Sequence, residues 1–418
     1  MSQVRTRVLG GLTLTVAVLA AAPAEAASLQ KVNDWGASGV PSTASMYIYV
    51  PDKLATKPPI LVLAHYCGGT ASAVFGQAQT GGIVKAADQY GFIMVVPQTT
   101  NNCWDVGSTK SLTHDGGGDT QAVAQMVKYA LTTYNANADR VYITGDSSGG
   151  MMTQAMLAVY PDIFKAGSAF AGVPAGCWAV GFDPTPTSTW SNQCAKGQVT
   201  HTPLEWGNLA RGTYPTYSGH HPRVQLFHGD DDKIILFPNF AEAIKQWTNV
   251  LGLSATPTST DTVTLGSHQA TRQRWQNSCG YVVLDAFQSI GGDHGPSDAI
   301  FNASFVVPFL ALDKTDAVDP ELAPPCNSGG TGGMGGTGGA TSSAGNGGTG
   351  GVPAGGATAM GGAGGVGIGG SAGGADSGMA GSSGSGGSIT SDGGSSAGSD
   401  ATAGSAAVAG ASDGVRED

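Results

Sequence analysis

Apolar positions along this chain fall into short unbroken runs separated by stretches with looser, helical spacing. Ile60-Leu61-Val62-Leu63-Ala64-His65 and Phe92-Ile93-Met94-Val95-Val96-Pro97 are continuous runs, as expected of strands covered on both faces. Ser45 to Pro51 alternates instead, which predicts a half-exposed strand near a sheet edge. Helices are predicted from about Gly82 to Tyr90, from Asp119, as its cap, to about Tyr134, and from about Asn239 to Val250. Further strands are predicted at Arg140 to Thr144, Ala166 to Val173, Val224 to Gly229 and Tyr281 to Phe287. Residues 174–222, rich in Pro, Trp, Gly and Tyr, read as an insertion over one edge of the sheet. The stretch between the last helix and the last strand reads as a polar excursion. Strands alternating with helices predict an α/β fold with a mostly parallel sheet and helices on both faces. Such sheets bind ligands at the carboxyl ends of their strands.

Composition sets the limits of this domain. Arg5 and Arg7 precede an apolar run from Val8 to Ala22, followed by Ala24-Glu25-Ala26. That order predicts a secretory signal peptide over 1–26, and no other stretch is expected to span a membrane. From about Asn327 to Asp418 the chain turns to Gly, Ala, Ser and Thr with almost no aromatics, and this segment holds more than half of the chain's 67 glycines. It lacks the apolar surface to offset its ordering entropy, so a flexible tail is expected, with a spacer near a surface or polymer as its suggested use. The folded domain is therefore expected over 27–326.

A net charge of −11 without a basic patch argues against nucleic acid as a partner. Export makes the six cysteines, Cys67, Cys103, Cys177, Cys194, Cys279 and Cys326, candidates for disulfides, and none has the C-x-x-C spacing of a zinc site. A monomer needing neither metal nor cofactor is expected.

The chemistry centres on Gly145-Asp146-Ser147-Ser148-Gly149, which matches G-x-S-x-G between a β-branched run and an apolar helical stretch. A serine held on so tight a turn leaves no room for Cβ atoms two residues to either side. Ser147 fits that register and Ser148 does not, because Asp146 would then stand where a glycine is needed. The segment also looks like the Gly-Asp-Ser-Gly-Gly of chymotrypsin-like proteases, but the extra serine breaks that motif and a helical stretch follows.

In α/β-hydrolases the nucleophile is followed in chain order by an acid and then a histidine, each after a strand. Here Gly229-Asp230-Asp231-Asp232-Lys233 follows one predicted strand and Gly291-Gly292-Asp293-His294-Gly295 follows the last. His294 is the expected base; the acid lies among the three aspartates. His65-Tyr66-Cys67-Gly68-Gly69 ends an early strand, where this fold draws its second oxyanion donor, so the amides of Ser148 and Cys67 are the expected pair.

These residues resemble carbohydrate esterase family 1, especially secreted acetylxylan esterases, with feruloyl esterases and poly(3-hydroxyalkanoate) depolymerases as relatives. The likeness covers roughly 45–300 and is carried also by Cys103-Trp104-Asp105-Val106, by Leu112 to Asp119, by Gly172 to Cys177 and by Lys245-Gln246-Trp247-Thr248-Asn249-Val250. The family's His-Gly-x-x-Asp pattern falls on His228 to Asp232 and implies Asp232 as the acid, with Asp231 second. The resemblance further implies disulfides Cys67 to Cys103 and Cys177 to Cys194, leaving Cys279 with Cys326. It implies a secreted serine esterase that deacetylates xylan-type polysaccharide. Feruloyl esterase or polyester depolymerase is the alternative within the class, and a non-catalytic polysaccharide-binding protein is the alternative outside it. Two departures stand out: Asp146 occupies a place usually small or apolar, and the loop after His294 differs.

Overall fold

A computed structural model describes residues 27–180, 190–295 and 299–323. The expected leader over 1–26 and the tail from 327 lie outside those residues. In chain order the described elements are β1 (Gln30–Val32), β2 (Ala44–Tyr49), β3 (Ile60–Ala64), α1 (Ala71–Thr80), α2 (Ile83–Tyr90) and β4 (Ile93–Thr99). Next come α3 (Asp119–Thr133), β5 (Val141–Asp146), α4 (Ser148–Val159), β6 (Ala166–Phe170), the short α5 (Asn192–Ala195) and α6 (Pro203–Gly212). The series closes with β7 (Arg223–Gly229), α7 (Pro238–Val250), β8 (Ser259–Leu265), β9 (His268–Gln276), β10 (Val282–Ser289) and α8 (Ala303–Phe309).

The strands form one sheet in the order β1-β2-β4-β3-β5-β6-β7-β10-β9-β8. Its centre, from β4 to β10, is parallel, and antiparallel strands extend both edges. The continuous apolar run of β3 is buried along its whole length, whereas β2, which alternates, is half-covered near the edge. Apolar side chains fill both faces: Val62, Ile143 and Leu226 pack on one side, Leu61, Tyr142 and Phe227 on the other. This is the doubly covered parallel sheet that the pattern predicts.

Three elements depart from that reading. The polar excursion is the antiparallel hairpin β8–β9, which widens the sheet beyond β10. Strand β8 is exposed along most of its length, so the apolar signal of a buried strand is missing there. Helix α6 lies inside the insertion, and its signal was present: Thr202 and Glu205 form a reciprocal capping box around Pro203. Asp119 does not cap α3. Gly118 is the cap residue, and the Asp119 carboxylate instead accepts the main-chain N–H of Asp105 at 3.0 Å.

Candidate active site

Strand β5 runs straight into α4, and the turn between them is strained. Ser147 has φ 55° and ψ −117°, a region that side-chain-bearing residues occupy at a cost of about 1–3 kcal/mol. The strain is held by the glycines around it. A Cβ on Gly145 would stand 2.3 Å from Gly149 O, and one on Gly149 would stand 2.1 Å from Ala64 O. Only hydrogen atoms fit at these two positions, so the helix packs directly onto the strand and lifts Ser147 above the carboxyl edge of the sheet.

Two further post-strand loops meet the serine there. Asp232 follows β7 and His294 follows β10, parallel neighbours whose loops are tied by the Asp230 N–H to Ser289 O at 3.0 Å and the Asp231 N–H to Gly292 O at 2.9 Å. His294 Nε2 lies 2.9 Å from Ser147 Oγ, and His294 Nδ1 lies 2.7 Å from Asp232 Oδ2. The other Asp232 oxygen accepts the main-chain N–H groups of Ile234 at 2.8 Å and Ile235 at 2.9 Å. Burial by itself would raise the Asp232 carboxyl, but hydrogen bonds from His228 and His294 hold it well below the usual carboxylate range. Burial likewise opposes charge on His294, yet its hydrogen bond to Asp232 and the charges of Asp232, Asp146 and Asp293 raise its pKa above 6.5.

The neighbouring aspartates have other partners. Asp230 accepts from the Gly291 N–H at 2.7 Å and from the Gln288 amide at 3.0 Å, bracing the loop that carries His294. Asp231 is exposed beside Lys233. Ser148 is buried, and its hydroxyl accepts the Trp104 N–H at 2.8 Å, so it faces away from His294. As the first residue of α4, Ser148 also offers a main-chain N–H with no partner inside the helix, at its positive end.

Cys67, the other expected donor, lines a cleft of about 340 Å³ with Ser147, His294, Tyr66, Trp190 and Ile234. The disulfide Cys67–Cys103 ties this loop to the one bearing Trp104, and Cys177–Cys194 closes the start of the insertion from which Trp190 reaches the cleft. Cys279 is exposed and has no disulfide partner among the described residues; Cys326, the partner expected for it, lies outside them.

Several supporting residues stood in the sequence only as parts of motifs, with no role of their own. His65 is fully buried: its Nδ1 lies 2.7 Å from Tyr66 O and its Nε2 accepts the Thr99 N–H at 3.1 Å, which fixes the loop that carries Cys67. Trp104 donates its indole N–H to His65 O at 2.9 Å. His228 Nε2 lies 2.7 Å from Ile235 O and 3.4 Å from Asp232 Oδ2, bracing the acid from behind. The Gln246 amide brackets Ala175, at 2.8 Å from its N and 2.9 Å from its O, so the Lys245 to Val250 motif is structural.

The fold and this end of the sheet are those of an α/β-hydrolase esterase. Residues 44–180 match the family model described as esterase PHB depolymerase. Feruloyl esterase B of Neurospora crassa is 49% identical over 250 residues, covering 59% of this chain and 81% of that protein. A probable acetylxylan esterase A of Aspergillus fumigatus is 45% identical over 228 residues, 54% of this chain and 59% of that one. The solved acetyl xylan esterase from Aspergillus awamori is 35% identical, with a TM-score of 0.61 over 68% of this chain and 99% of its own. The chain belongs to this family of acetylxylan and feruloyl esterases, carbohydrate esterase family 1, and is a carboxylic ester hydrolase.

Proposed function

We propose that this protein is a secreted serine esterase that removes acetyl groups from xylan-type polysaccharide, with Ser147, His294 and Asp232 as its triad. The observation that carries the reading is the pair of contacts from Ser147 Oγ to His294 Nε2, 2.9 Å, and from His294 Nδ1 to Asp232 Oδ2, 2.7 Å. Ser147 Oγ attacks the acyl carbon while His294 Nε2 takes its proton. Asp232 accepts the Nδ1 proton's hydrogen bond and stabilises the imidazolium. The amides of Ser148 and Cys67 hold the oxyanion. His294 then protonates the departing sugar oxygen, and water, activated by the same imidazole, releases acetate from Ser147. Secretion is part of the proposal, motivated by the leader-like residues 1–26; surface attachment through the tail finds no support and is left out of it.

The cleft of about 340 Å³ beside Ser147 and His294, with Trp190 and Ile234 in its lining, supports a substrate larger than the acetyl group alone. The same room supports a second reading, a feruloyl esterase, favoured by the 49% identity to feruloyl esterase B. Acetate release from acetylated xylan is compared with ferulate release from methyl ferulate under the same conditions. A larger kcat/KM on acetylxylan is expected; a larger value on methyl ferulate would overturn the first reading in favour of the second.

A further inference from the structure

Asp146, the residue between Gly145 and Ser147, is unexplained by the chemistry above. The residue is only 5% exposed, and its Oδ1 has no hydrogen-bond partner among the described residues. Buried polar atoms are rarely left in this way without a task. The residue lines the same cleft as Ser147 and His294. A Cβ on Gly295 would come within 3.1 Å of Asp146 Oδ1 and 3.4 Å of Oδ2, so the carboxyl lies against the main chain of the residue that follows His294. Ile300 Cδ1 stands 3.0 Å from that same point, adding an apolar wall. Asp146 thus flanks the Ser147–His294 hydrogen bond from chain positions adjacent to both of its ends.

We infer that Asp146 is a positioning residue that acts through His294: as a carboxylate it is a second counter-charge for the imidazolium formed when Ser147 gives up its proton, and as a neutral acid it withdraws that support. The proton itself travels only from Ser147 Oγ to His294 Nε2 and on to the leaving oxygen; Asp146 exchanges none with substrate. The inference rests on His294 being the base proposed above. Among the described residues, the charges acting on the pair are the following. His294 faces Asp232, Asp146 and Asp293, while Asp146 faces His294, the Ser147 amide and Asp232. Burial pushes the Asp146 carboxyl up to about 7, against the pull of His294 and the Ser147 amide, and the charge of each group favours the charged form of the other. The two groups then titrate as a coupled pair, and the acid limb of activity belongs to both.

The test is the pH profile of kcat/KM for a neutral acetate ester with Asp146→Asn, which keeps the shape and removes the charge. Loss of a nearby carboxylate lowers the His294 pKa, so the acid limb is expected to move down by about one pH unit. The plateau above it is expected to fall about tenfold, the same unit expressed as lost imidazolium stabilisation. A normalised profile that superimposes on wild type, or a loss uniform across pH with the limb in place, would overturn the inference. Where Asp146→Asn fails to fold, Asp146→Ser removes the same charge. A direct measurement needing no turnover is the NMR titration of His294 in a Ser147→Ala background, with and without the Asp146 substitution; an unmoved midpoint overturns the inference. Turnover surviving in His294→Gln would instead sink the underlying assignment of the base.

Discussion

Ser148 Oγ accepts the Trp104 N–H at 2.8 Å, joining the elbow to the loop that Cys103 ties to Cys67. The serine beside the proposed nucleophile therefore ties the elbow to the loop of the proposed oxyanion donor. Ser147→Ala is expected to lower kcat by roughly 10⁴-fold or more, as removal of a triad member does elsewhere. Ser148→Ala keeps the amide and loses only the acceptor, leaving the buried Trp104 N–H unpaired at about 1–3 kcal/mol. Its expected signature is a lowered Tm with most of the turnover of p-nitrophenyl acetate retained. Equal loss of activity in both variants would contradict this division of labour.

The acid can be isolated by pH. Because His294 is raised above 6.5 and, as the proposed base, must be neutral to take the serine proton, the acid limb of kcat/KM is expected to lie above that value. The stability linkage has two parts of opposite sign. A raised His294 contributes stability fully present below 6.5 that is lost as pH rises through its folded pKa. A depressed Asp232 contributes stability present above 3.8 that is lost as pH falls through its folded pKa. Asp232→Asn removes the partner of the Nδ1 proton and is expected to reduce kcat roughly 10⁴-fold, while Asp231→Asn leaves it within about twofold. Circular dichroism melts between pH 3 and 8 and the two activity profiles check these signs.

The Cys67–Cys103 bridge spans 36 residues of sequence, which in the chain-entropy model corresponds to about 4 kcal/mol of stability. Since Cys67 also offers an amide to the proposed oxyanion site, Cys103→Ser is expected to lower both Tm and kcat. Loss of the Cys177–Cys194 bridge, with its 17-residue separation, is expected to cost about 3 kcal/mol while sparing the chemistry on a small ester that needs no contact from Trp190. Comparing small-ester turnover in the two cysteine variants separates these effects; equal kcat loss would refute the distinction.

The central sheet and the three side chains at its carboxyl edge were legible because each rests on a local pattern. Unbroken apolar runs give β3 and β4, and a Gly-bracketed serine gives the elbow. Aspartate and histidine loops stand in chain order behind β7 and β10. Selection of Asp232 from three adjacent aspartates was not legible from residue type alone. It depends on which carboxylate the Ile234 and Ile235 amides capture and which remains in solvent beside Lys233. Strand β8 escaped notice because an edge strand with exposed polar faces carries no buried-strand signal. His65 and Trp104 were named only within motifs, since their roles arise from contacts 34 and 39 residues apart in sequence. The pairing of Arg223 with Asp319 is more remote still, across a sequence separation of 96.

That last pair makes a prediction about the far end of the sheet. Arg223, at the start of β7, is 1% exposed and bonds to the fully buried Asp319 carboxylate, with Glu321 at 3.4 Å. Tyr142 Oη donates to the other Asp319 oxygen at 2.8 Å, and Arg140 donates to Ala311 O and Asp316 O. The chain after α8 is thus fastened beneath the amino ends of β5 and β7, opposite the elbow. Breaking a buried ion pair leaves an uncompensated charge and typically costs about 3–5 kcal/mol, whereas replacing both partners by apolar groups often costs little. Asp319→Ala is therefore expected to destabilise the domain by about 3 kcal/mol in urea unfolding, and Arg223→Met combined with Asp319→Leu by less. At temperatures where both variants are folded, kcat is expected to match wild type, because the fastening lies a full strand length from Ser147. A loss below about 1 kcal/mol for Asp319→Ala would mean that the Arg140 contacts to Ala311 O and Asp316 O hold the segment without the ion pair.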